Sequence, residues 1–158
     1  MRRKDRAVGC VQEMERILGE ALYMTLATHD VEGAGAPYLV SLNYVYHDGN
    51  IYFHCAQEGK KLDCIRANAS VAVSVVGTAR LLVPENAKAC DIGMAYESVV
   101  VRGKATILEQ GEEHQSALAA LVARFGGDPA TIHEAAQRKT VIVRIKVEEM
   151  SGKRANLP

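Results

Sequence analysis

Two lysines follow a glycine at Gly59-Lys60-Lys61 and open a short segment whose Leu62 and Ile65 recur at helical spacing. Ammonium groups at the start of a helix lie beside first-turn N–H groups that have no acceptor within the helix. Donors of that kind converging on one spot suit a dianionic phosphate. Just upstream, residues 51–56 (IYFHCA) read as a buried strand. Adjacent strand residues face opposite ways, so His54 and Cys55 cannot easily hold one metal ion together. A phosphate pocket beside buried strands predicts a phosphorylated cofactor.

The elements that must position this pocket follow from period and punctuation. Val8, Val11, Met14 and Leu18 predict a first helix over 6–19. Residues 23–28 read as a strand and 29–35 as a glycine-containing turn. A strand over 37–46 meets the return strand 51–56 through Asp48-Gly49, a tight hairpin signal. In the outgoing strand Val40, Leu42, Tyr44 and Tyr46 share one face and Leu39, Ser41, Asn43 and Val45 the other. Ser41 and Asn43 are thus neighbouring polar groups on a strand that reads as buried. The return strand sets Ile51, Phe53 and Cys55 against Tyr52, His54 and Ala56.

A short helix over 59–68 precedes strands at 71–82 and 96–108, the latter carrying Gly103 as the mark of a bulge or a close approach. Residues 86–93 read as irregular or as one helical turn. Leu118, Leu121, Val122 and Phe125 predict an amphipathic helix that Gly126-Gly127 stops. Asp128-Pro129 then starts a second short helix through about 137, and 140–147 is the last strand. Strands that follow one another through a hairpin disfavour a doubly wound parallel sheet. They favour a single domain over 1–158, mainly β, built as an antiparallel barrel with peripheral helices.

Composition removes several classes. Lys+Arg and Asp+Glu both number 19, so the basic excess of a nucleic-acid binder is missing, and aromatic residues make up 5% with no Trp. No apolar run approaches the roughly 20 residues that span a bilayer. Glu13 and Glu15 interrupt any signal-like stretch after the basic start, so the expectation is a cytoplasmic protein. Cys10, Cys55, Cys64 and Cys90 form no close pair, which predicts buried, reduced thiols and no structural zinc.

The stretches Tyr52-Phe53-His54-Cys55-Ala56 and Glu58-Gly59-Lys60-Lys61 resemble the pyridoxamine-phosphate-oxidase-like split barrels, and within them the nitroimidazole-resistance branch. Pro37-Tyr38 with Asn43-Tyr44, residues 96–105 and residues 148–154 fit the same pattern in the same order. The resemblance implies a six-stranded antiparallel split barrel that forms a homodimer, with FMN in clefts between the subunits. It implies that Lys60 and Lys61, after Gly59, take the flavin phosphate. Val40, Ser41 and Asn43, together with His54, Cys55 and Ala56, would edge the isoalloxazine ring. His54 matches the histidine of the branch's active site, where an imidazole can donate or accept a proton while flavin passes electrons.

The residues also admit plainer readings. His54 can be a strand histidine bonded to backbone, Lys60-Lys61 a solvated helix start, and Ser41 and Asn43 ordinary sheet residues. Tyr38 and Tyr96 are more often packing than stacking groups. Two departures from the family pattern matter. The absence of Trp removes a motif of the true vitamin B6 oxidases, and Arg102 stands where the branch more often has an apolar residue. The functions consistent with the sequence are an FMN-dependent oxidoreductase acting on a small, nitroaromatic or quinone-like acceptor, a flavin-binding module without catalysis, and a related barrel holding haem or a deazaflavin.

Overall fold

The computed structural model describes residues 3–30, 32–33 and 35–157. A 3-10 turn at Lys4–Arg6 leads into β1 (Ala7–Val8), α1 (Val11–Glu20), β2 (Tyr23–His29), β3 (Pro37–Asn43), β4 (Val45–His47) and β5 (Asn50–Cys55). Then follow α2 (Lys60–Ala67), β6 (Ser70–Leu82), β7 (Gly93–Ile107), α3 (Glu112–Arg124), α4 (Glu134–Lys139) and β8 (Val141–Ala155). All pairings are antiparallel, and the sheet runs β3-β2-β6-β7-β8-β5-β4 with β1 added on β8.

The two ends of that sheet are halves of one strand. Only Tyr44 separates β3 from β4, so β3 pairs with β2 while β4, one residue later, pairs with β5. Leaving aside the two-residue β1 and counting β3–β4 once, the eight strands reduce to six that close into a barrel. Tyr44 is the joint. Its side chain is 1% exposed, and its hydroxyl donates to the Leu18 carbonyl at 2.6 Å. That carbonyl lies in the last turn of α1, where backbone acceptors have no intrahelical partner. Burial pushes the phenol well above its ordinary range. Tyr44→Phe is expected to cost about 1–2 kcal/mol by stranding the carbonyl. A thermal melt checks this, with an expected fall of roughly 2–8 °C.

The barrel interior is filled by alternate residues of each strand, among them Leu26, Phe53, Val73, Val101 and Ile145. Ile17 and Leu18 of α1 close one end, and Leu62 and Ile65 of α2 close the other. At the α1 end the carboxylate of Glu97, 4% exposed, is held by Arg16 at 2.6 Å and faces Arg154 at 3.5 Å. Outside the barrel, α3 lays Ala117, Leu118 and Leu121 over Val45, Tyr52 and Ile142.

Several expectations need correction. The first helix begins later than 6, because Val8 pairs with Gly152 as strand β1. Its buried face is Met14, Ile17 and Leu18, while Val11 is 49% exposed. Phe125 lies beyond α3 and is exposed. Asp128 does cap the next segment, accepting from the Ala130 N–H at 2.9 Å, but that segment is a 3-10 turn at Pro129–Thr131 followed separately by α4. The last strand extends to Ala155 because β7 offers it a full-length partner. Cys64 is buried and Cys55 half-buried, whereas Cys10 and Cys90 are exposed. Of the turn predicted at 29–35, Val31 and Ala34 lie outside the described residues, as do Met1, Arg2 and Pro158.

Candidate functional site

The bend at Tyr44 opens a split in the barrel wall. β4 pairs with β5 only from Val45↔Tyr52 to His47↔Asn50. Beyond that, Phe53, His54 and Cys55 pair with β8 alone, and β3 pairs with β2 alone. The facing edges of β3 and of the end of β5 therefore carry backbone donors and acceptors that no ladder uses. Because β4 runs antiparallel to β5, the start of β3 and the end of β5 lie at the same end of the barrel. That is the end occupied by α2.

Gly59 sets the direction of that helix. Its φ of +139° is one that L side chains rarely adopt, and no atom lies within 4 Å of where a Cβ would sit. The Gly59 carbonyl accepts from the N–H groups of Leu62 at 2.8 Å and Asp63 at 3.3 Å, so the N–H groups of Lys60 and Lys61 belong to the unpartnered first turn.

The two lysines have different surroundings. Neighbouring positions on a helix diverge by about 100°. Lys60 reaches toward β2 and β3, with Nζ 2.8 Å from Asp30 Oδ2 and 5.5 Å from the centre of the Tyr38 ring. Each charge stabilises the other. The hydrogen bond from Lys60 holds the Asp30 carboxyl below its usual range, and the bond to Asp30 holds the ammonium above its own. Lys61 is half-buried, and its charge acts on Cys55 of β5. Burial raises the Cys55 thiol, and the positive charges of Lys61 and Arg66 oppose the rise. No carboxylate pairs with Lys61 among the described residues.

The remaining predicted residues border the same split. Ser41 and Asn43 are exposed on the outward face of β3, because that face is not covered by the rest of the chain. The strand is therefore half-buried rather than buried. Val40 faces inward and packs on the core, as does Cys55. His54 is exposed on the outward face of β5, and Ala56 is exposed in the loop leading to Gly59. Asp30 is the residue that the sequence reading missed. Nothing but its place in the turn after β2 marked it.

A groove of about 470 Å³ lies elsewhere on the outer wall and includes Ala27, His29, Pro37, Ala72 and Arg102 in its lining. It contains none of the residues predicted for the site. It nonetheless reaches β3 itself, since Pro37, which opens that strand and pairs with His29, lines it. Arg102 faces Glu149 at 3.5 Å, both well exposed, so the pair itself adds little.

The site's donors suit a ligand with a phosphate and a flat hydrogen-bonding body: a lysine and free N–H groups at α2, and open strand edges beside them. No group of three or more His, Cys, Asp or Glu side chains is placed to hold a metal ion among the described residues. No described helix is long and apolar enough to cross a membrane.

Residues 11–154 match the family model for pyridoxamine 5'-phosphate oxidase, and the chain belongs to that family. Among solved structures, a candidate 5-nitroimidazole antibiotic resistance protein from Bacteroides thetaiotaomicron is 26% identical with a TM-score of 0.81. That match covers 94% of this chain and 86% of the other. A FAD-binding protein from Mesorhizobium loti is 25% identical with a TM-score of 0.68, over 96% of this chain and 98% of that one. The FAD and heme binding protein from Mycobacterium smegmatis has a TM-score of 0.82 at 16% identity, covering 96% and 74%, a likeness of fold alone. No curated protein matches the chain.

Proposed function

We propose that this protein binds FMN in the split between β3 and β5 and serves as an oxidoreductase toward a small organic acceptor, nitroaromatic compounds included. The observation that carries this reading is the juxtaposition of two open strand edges with Lys61 and the unpartnered first turn of α2. The phosphate would rest on Lys61 and the first-turn N–H groups. The ring would lie along the backbone of β3 and β5, with Ser41 and Asn43 on one side and His54 on the other. Bound flavin supplies two-electron redox chemistry, while the chain binds, orients and screens it. The exposed imidazole of His54 is the proton donor for the acceptor. The Bacteroides thetaiotaomicron likeness supports the choice of acceptor, and the Mesorhizobium loti likeness favours a second reading in which FAD replaces FMN.

A homodimer is part of the same proposal. Tyr23, Leu39, Val76 and Val100 are 59%, 56%, 51% and 42% exposed and all lie on the outward face of β2, β3, β6 and β7. Apolar side chains gathered on one face of adjacent strands suit an interaction surface. A second copy seated there would shield the flavin beside Leu39 and Ser41.

Two measurements test the reading. Purified protein is expected to be yellow, and chromatography of the released flavin distinguishes FMN from FAD. After anaerobic photoreduction, mixing with a nitroaromatic acceptor is expected to reoxidise the protein faster than free reduced flavin, and His54→Ala to slow that step. Reoxidation no faster than free flavin would leave a binding protein without catalysis.

A further inference from the structure

We propose that Asp30 sets the charge specificity of the cofactor site by taking Lys60 out of phosphate binding, an inference that rests on the flavin reading above. The carboxylate is built into place. Its Oδ2 meets Lys60 Nζ at 2.8 Å, its Oδ1 accepts the Glu32 N–H at 3.0 Å, and its side chain is 11% exposed. Gly33 lies close against it, since a Cβ there would fall 2.5 Å from Oδ2. Lys60 also lies 4.0 Å from Glu32 Oε2 and above the Tyr38 ring. Its positive charge is thus answered by two carboxylates and an aromatic face before any ligand arrives.

A phosphate dianion brought to Lys60 would meet Asp30 as well, and like charges at that range repel. Lys61 has no such competitor among the described residues. The phosphate clamp is therefore one lysine with the first-turn N–H groups, and Asp30–Lys60 is a neutral pair that closes the other side of the mouth. The site takes one phosphomonoester and resists additional negative charge on the β3 side.

Equilibrium binding of FMN and of riboflavin to the purified protein, read by quenching of flavin fluorescence, tests this. Asp30→Asn is expected to tighten FMN by about three- to tenfold, since it releases Lys60 to the phosphate, while riboflavin stays within about twofold. Lys60→Ala alone is expected to weaken FMN, because Asp30 is then an uncompensated negative charge at the mouth. The double variant Asp30→Asn/Lys60→Ala removes the pair together and is expected to bind FMN within about twofold of the parent. If Lys60 were itself the phosphate ligand and Asp30 only its support, Asp30→Asn would weaken FMN and the double variant would be as poor as Lys60→Ala. Either result overturns the inference. A parent protein that binds FMN no tighter than riboflavin would instead remove the phosphate reading, and this inference with it.

Discussion

Replacing Lys61 with alanine is expected to weaken FMN binding by about 10- to 100-fold and to leave riboflavin binding within about twofold. The magnitude follows from losing a charge-assisted contact worth roughly 1.5–3 kcal/mol. Lys61 is half-buried, so its charge is less screened than that of a surface lysine. The first-turn N–H groups of α2 remain in the variant and keep a part of the affinity. The comparison between the two flavins isolates the phosphate, because they differ in nothing else. Equal losses for both would mean that Lys61 supports the fold of the mouth and not the anion. The measurement is the same fluorescence titration, with a far-UV spectrum to establish that α2 is intact.

The second large effect is on stability. Gly103→Ala is expected to destabilise the protein by about 3 kcal/mol or more, read as a fall of roughly 6–12 °C in Tm. A Cβ at Gly103 would overlap the carbonyl oxygen of Lys146 and crowd the Ile145 side chain. A flexible side chain could yield, but a backbone carbonyl in a strand ladder cannot. The crowding comes from a bulge. Arg102 opposes Glu149 while Gly103 opposes Val147, which leaves Glu148 as the extra residue of β8. The bulge bends the two longest strands so that the wall curves, and it sets Arg102 and Glu148 at the edge of the outer groove. A variant as stable as the parent would show that β8 can shift its register there without cost.

Much of the fold was legible because it depends on local rules. Asp48 and Gly49 both have positive φ, 47° and 73°, as a two-residue hairpin requires. The alternation of Val40 and Leu42 against Leu39 and Ser41 matches the inward and outward faces. Gly103 was readable as a close approach, and Asp128 as a cap. The misjudged places are those where a partner outside the segment decides. Val8 carries an apolar pattern that fits a helix, yet Gly152 offers it an open strand edge. Residues 148–155 are too polar to read as a strand, and only β7 draws them into one.

The site divides along the same line. Gly59-Lys60-Lys61 and His54 stood out because their residue types and order are local features of the chain. That alone determined a phosphate-type donor cluster at the start of a short helix beside a strand. Two things were decided by tertiary structure. The split exists because one strand bends at Tyr44 and joins two different neighbours, a choice made by the closing of the barrel. The division of labour between the lysines exists because β2 brings Asp30 to Lys60 from thirty positions away. Electrostatic partnership depends on distance in space, and sequence spacing carries no record of it.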